Sequence, residues 1–223
     1  RQVDPRRERL VAHRRIEAAR HADERLEGRA EGHRVEPHRR RAPRDRVLAA
    51  EEAGATREEL LELFRHGVGA EVLQRAQALE LMQPMMGGYT PGKTTFRLLQ
   101  ELNRYFRKRG KVDEAMILAA LFIDHFWQKC PVKASLPINE VVQSAGHLLT
   151  PYCTHFRLSH GLRHQARELL VGCYRFARGL GHRGQKRFLL NPGTPLALDM
   201  FRLWTEASSG DRILLATWQK ALH

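Results

Sequence analysis

Aromatic side chains are missing from the first part of this sequence. No Phe, Tyr or Trp occurs from Arg1 to Leu63, and the basic residues there are Arg and His without Lys. Large aliphatic residues are also sparse. Residues 1–55 can therefore hardly bury enough apolar surface to offset a backbone ordering entropy of about 1 to 2 kcal/mol per residue. The composition excludes a core of their own and predicts a basic segment that is disordered or loosely helical.

Long apolar runs and paired cysteines are missing as well. No stretch approaches the ~20 apolar residues that span a bilayer, and no charged-then-apolar leader is present, so we expect no membrane partner. The three cysteines, Cys130, Cys153 and Cys173, are odd in number and widely spaced, which argues against a disulfide framework. A reducing compartment fits this usage, and the expected location is cytoplasmic.

The third absence is that of paired carboxylates. Nucleotidyl transfer needs two or three acidic residues held together on two magnesium ions, yet the acids here are scattered and no D-x-D occurs. We therefore predict no catalytic residue in this chain. If the chain belongs to an enzyme, the reaction centre lies in another part of that enzyme.

What the sequence does contain is a net charge of +13 and one stretch in which the positive charge is concentrated. Between Val141 and Leu198 the only carboxylate is Glu168, whereas eight residues are cationic. Counterion release from phosphates supplies most of the affinity of a nucleic-acid binder. The pattern predicts binding of single-stranded RNA, and the predicted RNA-binding residues are Arg157, Arg163, Arg167, Tyr174, Arg175, Phe176, Arg178, Arg183, Lys186 and Arg187.

Aromatic rings are interleaved with these cations, and rings or guanidinium planes can stack on unpaired bases. Tyr174 and Phe176 are two residues apart on a predicted helix, which rotates them apart by roughly 200°. We therefore expect one of the two to face the basic side and offer stacking. The five rings of the stretch are Tyr152, Phe156, Tyr174, Phe176 and Phe188.

Two alternatives to RNA binding follow from the same stretch. Its apolar residues recur at helical spacing, so the arginines can simply form the solvated face of an amphipathic helix. The second alternative is a helical protein-interaction module whose basic face docks an acidic partner. The apolar residues are Leu162, Ala166, Leu169, Leu170, Cys173 and Ala177.

Helical periodicity also runs through the rest of the chain, and no segment alternates like a strand. The predicted fold class is all-α, an irregular array of short amphipathic helices, with a body at residues 56–150 and a basic C-terminal domain at residues 151–223. A helix from about Val112 to Trp127 is apolar over more than half its circumference and should be the buried centre.

Capping and breaking residues predict the helix ends. The first helix opens with a capping box at Thr56–Glu59 and closes at Gly67, and the second runs through Met82 until Pro84 stops it. The signals towards the C-terminus are Pro137 at the start and Pro151 at the end of the fifth helix, Asn191–Pro195 as a breaker with proline in the following first turn, and Asp211 as the last cap.

Residues Gly87–Thr94 satisfy the G-x-x-x-x-G-K-[ST] pattern of a phosphate-binding P-loop, which opens a third possibility, nucleotide hydrolysis through Lys93. That loop requires a buried strand before it and converging backbone N–H groups. Here a helix precedes the pattern and Pro91 removes one donor, so we predict an ordinary interhelical loop.

Two further groups of residues resemble metal sites. Cys153, His155, His160 and His164 lie within twelve residues but lack the paired spacing of zinc ligands, so we predict partly exposed histidines and no metal. Asp124 and His125 have the reverse order of the His-Asp pair in metal phosphohydrolases and lie in an apolar helix. We interpret this pair as structural.

Three segments resemble the C-terminal, all-helical part of bacterial poly(A) polymerases, a family related to the tRNA CCA-adding enzymes. They are EELLELFRHGVGAEVLQRAQALELM, AMILAALFIDHFW and RGQKRFLLNP followed by LALDMFRLW, in this order. By position, Arg183, Gly184, Lys186 and Arg187 match the family's basic turn, and Ala197 and Asp199 match the helix that follows it.

The resemblance implies the RNA-binding C-terminal portion of a poly(A) polymerase, which acts in 3′ polyadenylation during mRNA processing and decay. The implied partners are single-stranded RNA 3′ ends and RNA-decay proteins. The family's catalytic head, with its Gly-rich turn and paired aspartates, has no counterpart in this sequence. ATP and magnesium are therefore implied for that head only, and we expect no cofactor in this chain.

Overall fold

The computed structural model describes residues 58–59, 61–86, 89–111 and 113–222. Within these ranges most residues are helical and none lies in a strand, which confirms the predicted all-α class. The predictions for residues 1–55 and for the capping box at Thr56–Glu59 lie outside the described residues. The helices are α1 (Gly69–Ala78), α2 (Met82–Met85), α3 (Lys93–Arg109), α4 (Glu114–Leu121), α5 (Ile123–Lys129), α6 (Ile138–His155), α7 (His160–Ala177), α8 (Gln185–Leu189), α9 (Thr194–Ser208) and α10 (Arg212–Leu222).

Helix α4 is the buried centre of this array, as predicted. Every residue from Ala115 to Leu121 is buried, and the helix packs against α3, α5 and α7. The carboxylate of Asp113 caps its start by accepting a hydrogen bond from the N–H of Ala115 at 2.7 Å. The predicted helix is not continuous to Trp127, because the chain turns at Phe122 before α5 begins.

Helix α7 is enclosed by its neighbours, since it packs against α4, α6, α9 and α10. Its N-cap is Ser159, whose hydroxyl accepts a hydrogen bond from the N–H of Leu162 at 3.1 Å. The approach to α9 is close because Gly172 faces Ala197. A Cβ atom added at Gly172 would lie 2.6 Å from the Cβ of Ala197.

Two predicted helix ends are wrong. Pro151 does not end α6, which continues to His155. The residues beyond the proline pack into the core, with the Tyr152 ring 4.2 Å from that of Phe122 and Cys153 buried. This packing outweighs the cost of an interior proline, about 3 kcal/mol.

The second wrong end is that of the helix predicted to run through Met82. Helix α1 already ends at Ala78, and Pro84 lies inside the short helix α2. The chain turns at Glu80, whose φ of 59° is in the left-handed region. This turn leaves Leu79 exposed and brings Met82 into the core, where it is 1% exposed.

Other predicted signals are confirmed. Gly67 follows a helical segment at residues 61–65 with a φ of 68°, and Pro137 is the N-cap of α6. Pro195 lies in the first turn of α9. Asp211 Oδ1 accepts hydrogen bonds from the first backbone N–H groups of α10 at 2.9 and 3.0 Å.

One hydrophobic core joins the helices of the compact unit Arg46–His223. Helix α6 crosses residue 150, so the described parts of residues 56–150 and 151–223, which the sequence distinguishes by charge, share this core. Among the described helices, none combines the length and the apolar character needed to cross a lipid bilayer.

Candidate nucleic-acid interface

A cleft of about 760 Å³ opens beside α7, between the first turns of α6 and α9 and the turn that leads to α8. Four of the predicted RNA-binding residues line this cleft, which we name the basic cleft. Glu168 is the one carboxylate in its lining. Four guanidinium groups around a single carboxylate create a positive potential that attracts anions. The four arginines are Arg175 and Arg178 of α7, Arg183 of the following turn and Arg187 of α8.

The turn between α7 and α8 brings Arg183 and Arg187 back beside α7. Gly181 and Gly184 have φ values of 86° and 82°, a left-handed conformation that glycine adopts without steric cost. The ring of His182 ties the turn to α7, because its Nε2 lies 2.9 Å from the carbonyl oxygen of Arg178 and its Nδ1 lies 3.4 Å from Nη2 of Arg178. In this arrangement Nε2 donates its hydrogen and Nδ1 accepts one.

The side chain of Arg175 is partly buried. Its guanidinium carbon lies 5.2 Å from the centre of the Phe188 ring, within cation–π range. Burial lowers the pKa of Arg175, the charge of Glu168 opposes this change, and the charge of Arg178 adds to it. A partly desolvated guanidinium interacts more strongly with a phosphate than one in bulk water, since Coulomb attraction rises as the local dielectric falls.

The other predicted cations lie outside the cleft lining. Arg163, Arg167, Arg175 and Arg178 fall within a sector of about 120° on α7, so they occupy one face of the helix. The guanidinium group of Arg163 nevertheless points towards α6, because its Nη1 donates to Thr150 Oγ1 at 3.4 Å. Its Nη2 lies 2.8 Å from Nδ1 of His160, one turn earlier on α7.

Arg167 also contacts α6, with its Cδ 3.8 Å from the position of a Cβ added at Gly146. Its Nη2 pairs with Glu168 Oε1 at 3.2 Å. Arg157 lies in the turn after α6 with a φ of 50°, and Lys186 is exposed on α8. The structure therefore divides the eight predicted cations into four that line the cleft and four that lie outside its lining.

The predicted stacking by Tyr174 or Phe176 is wrong, because both side chains are fully buried, at 0% exposure. The hydroxyl of Tyr174 donates to the carbonyl oxygen of Leu136 at 3.3 Å. The ring of Phe176 packs at 5.1 Å from that of Trp218, whose Nε1 donates to the Phe176 carbonyl. The guanidinium carbon of Arg178 lies 5.9 Å from the centre of the Tyr174 ring, but burial leaves neither ring with a face free to stack on a base.

Phe188 is the one ring of the five that lines the cleft. It is partly exposed, and Arg175 lies over it. The sequence shows Phe188 among the basic residues but gives no sign that it meets a side chain thirteen residues earlier. The first turns of α6 and α9 complete the lining with Pro137, Asn139 and Thr194. Sequence reasoning missed Pro137 and Asn139 because they are far from α8 along the chain, and Thr194 because it carries neither charge nor ring.

The last three residues of the P-loop pattern, Gly92–Thr94, form the start of α3, and an internal carboxylate lies there. Asp124 Oδ2 accepts a hydrogen bond from the backbone N–H of Thr95 at 2.9 Å. Gly92 permits this approach, because a Cβ atom added there would overlap Asp124 Oδ2. A P-loop presents its helix start to a phosphate. Here Asp124 provides the negative charge at that position, which confirms its interpretation as structural.

The four residues considered for zinc do not come together in a ligand set. Cys153 is buried in the core, at 4% exposure, and His160 and His164 are exposed on α7. Over the described ranges, no three His, Cys, Asp or Glu side chains are grouped so that they could hold a metal ion.

The charged and aromatic groups that line the basic cleft are four arginines, one carboxylate, the imidazole of His182 and one partly exposed ring, and they lie among apolar residues of α6, α7 and α9. Such a set suits the phosphate esters of a nucleic acid. No protein-family model matches the chain, and no curated protein matches it. The geometry of the basic cleft is therefore the observation from which a function can be argued.

Proposed function

We propose that the chain binds RNA through the basic cleft. The observation that carries this proposal is the convergence of four arginines from three consecutive elements on a cleft whose lining contains one carboxylate. The volume of about 760 Å³ lies within the range of small-ligand sites, so the cleft accommodates a few nucleotides of a chain and not a folded domain.

The cleft arginines have separate roles in this proposal. Arg178, Arg183 and Arg187 bind phosphate oxygens, for which the guanidinium fork is well matched. Arg175 is held over the Phe188 ring and offers a base either its guanidinium plane or the ring edge beside it. This pair takes the stacking role that the sequence assigns to Tyr174 or Phe176.

Of the cations outside the cleft, two extend the positive charge along α7. Arg163 and Arg167 lie on the helical face that bears the cleft arginines, and Arg157 and Lys186 are exposed. An RNA chain longer than the cleft would meet these residues next. Their contacts would be weaker, because exposed charges are screened over about 10 Å at moderate salt.

The resemblance to poly(A) polymerases supports RNA as the polyanion. Under this proposal the chain is the RNA-binding C-terminal portion of such an enzyme and contributes to 3′ polyadenylation of RNA. ATP and magnesium act at a catalytic head, and the described part of the chain holds the single-stranded 3′ end. RNA-decay proteins are the further partners that this role implies.

The test is the salt dependence of RNA binding by the full chain. Each phosphate contact with single-stranded RNA contributes about 0.7 to the slope of log affinity against log salt concentration. The triple variant Arg178→Ala, Arg183→Ala, Arg187→Ala should therefore lower the slope by about 2.1. Fluorescence anisotropy of a labelled oligoadenylate at several potassium chloride concentrations measures it.

The matched control removes three cations elsewhere. Arg97→Ala, Lys108→Ala and Arg212→Ala change the net charge equally, at exposed positions of α3 and α10. This control should change the slope little. A cleft variant with the slope of the parent chain, or a control that lowers it equally, would contradict the proposal. Equal binding of polyglutamate and RNA would favour the alternative, a module that docks an acidic protein.

A further inference from the structure

Glu168 occupies an unexpected position for a cleft that binds a polyanion. It is the single carboxylate of the lining, on the same helix as Arg175 and Arg178. Its side chain is 45% exposed, and one of its oxygens, Oε1, contacts Arg167 at 3.2 Å. A carboxylate repels phosphate groups, so it weakens binding unless it accepts a hydrogen bond from a donor on the ligand.

The sugar of RNA provides such a donor. Backbone phosphates only accept hydrogen bonds, whereas the ribose 2′-hydroxyl also donates one, and DNA lacks this group. A carboxylate beside a phosphate-binding arginine can therefore distinguish the two nucleic acids. Base amino groups also donate, but they depend on the sequence and the 2′-hydroxyl does not.

The wall between Glu168 and Arg175 has room for a sugar. These residues are seven positions apart, which places them on one face of α7 and about 10.5 Å apart along its axis. Glu168 and Arg175 both line the basic cleft, so their side chains face the same space. Val171, Gly172 and Ala197 line the cleft there, so no charged or polar side chain occupies this part of the wall.

We propose that the basic cleft selects RNA over DNA, with Glu168 accepting a hydrogen bond from a ribose 2′-hydroxyl while Arg178 binds the adjoining phosphate and Arg175 stacks on the adjoining base. This inference rests on the proposed RNA-binding function and names the sugar as the recognised group. Glu168 is thus a specificity-determining residue of the cleft, and its ion pair with Arg167 orients the carboxylate.

The experiment compares three oligonucleotides of one sequence, as RNA, as DNA and as 2′-O-methyl RNA, by fluorescence anisotropy with the full chain. The parent chain should bind RNA about tenfold more tightly than DNA, the effect of one hydrogen bond to a charged acceptor. The 2′-O-methyl form keeps the oxygen but loses the donated hydrogen, so it should bind like DNA.

Glu168→Ala should reduce the RNA-to-DNA affinity ratio to about one, mainly by strengthening DNA binding through loss of a repelling charge. Glu168→Gln, which retains an acceptor oxygen, should keep part of the preference. Glu206→Ala, which also removes the carboxylate partner of an arginine but on α9, is the control and should keep the full ratio. Circular dichroism checks that each variant is folded.

The outcomes separate the two proposals. A parent chain that binds RNA and DNA equally, or a Glu168→Ala variant that retains the parent ratio, overturns the role of Glu168 while RNA binding itself stands. A preference that 2′-O-methylation does not remove also overturns it, because the donated hydrogen is then not recognised. A parent chain that binds neither nucleic acid overturns the proposed function and this inference together.

Discussion

Replacing Gly172 by alanine should destabilise the protein through one contact, that between α7 and α9. The added methyl group would lie 2.6 Å from the Cβ of Ala197, closer than two such carbons approach in proteins. Relief of this overlap requires the two helices to move apart. Because both residues line the basic cleft, the same movement would widen the site.

The size of the stability change in Gly172→Ala follows from two opposing effects. Overpacking of a core contact costs about 1 to 3 kcal/mol. Replacement of glycine by alanine inside a helix gains about 1 kcal/mol. Gly172→Ala should therefore lower the free energy of unfolding by up to about 2 kcal/mol. Ala197→Gly alone should lower the free energy of unfolding by about 1 kcal/mol, because the parent chain has no overlap to relieve and glycine weakens helix α9.

The double variant separates these effects. With Ala197→Gly present, the nearest remaining atom to the new methyl group is the Cα of residue 197, at an ordinary contact distance of 3.9 Å. The double variant should then be nearly as stable as the parent chain. Urea unfolding followed by circular dichroism measures all four proteins. Gly146→Ala is the control, because its nearest neighbour is 3.8 Å away, and this variant should be stabilised.

Additive effects of Gly172→Ala and Ala197→Gly on the free energy of unfolding would refute this reasoning. Residues that do not interact have effects that add to within about 0.5 kcal/mol, whereas the contact described here predicts a coupling of about 1 to 3 kcal/mol. The reasoning would also be refuted if Gly172→Ala stabilised the protein as much as Gly146→Ala does. Both results would mean that α7 and α9 are not in direct backbone contact at this point.

Two further predictions concern the start of α5. Asp124→Ala removes the acceptor for the N–H of Thr95 and should lower the free energy of unfolding by about 1 kcal/mol. An unchanged urea midpoint would show that Asp124 does not cap the start of α3. Burial, and then the charge of Lys129, lower the pKa of the His125 imidazole in the folded protein. The imidazole is therefore protonated more readily in the unfolded chain, and the protein loses stability as the pH falls below about 6.5. His125→Gln should therefore lose less stability than the parent chain between about pH 7.5 and pH 5.5, and parallel losses in the two proteins would exclude His125 as the cause.

Helix starts were predictable because their signals are local. Asp211 accepts hydrogen bonds from backbone N–H groups within three residues, and Pro195 fixes its own backbone in the first turn of α9, so the sequence contains the whole interaction. The end predicted at Pro151 failed for the opposite reason. Its outcome depends on the packing of Tyr152 against Phe122, a residue thirty positions earlier.

The candidate site was predictable only in part, for a similar reason. The arginines could be identified from charge, but the number of helices around α7 could not. If α7 buried only one face, either Tyr174 or Phe176 would be exposed. Because other helices enclose α7, both rings are buried. The first turn of α6 and the position of Phe188 beside Arg175 depend on tertiary packing, which periodicity does not report.

The enclosure of α7 has a consequence for how the protein would meet its ligand. Arg175 and Arg178 project from a helix that packs against α4, α6, α9 and α10, so their backbone is already fixed before anything binds. Association would then incur little loss of main-chain entropy, and the complex should form without an accompanying folding step. In an amide hydrogen-exchange experiment, the amides of α7 should be among the slowest to exchange, whether or not RNA is present.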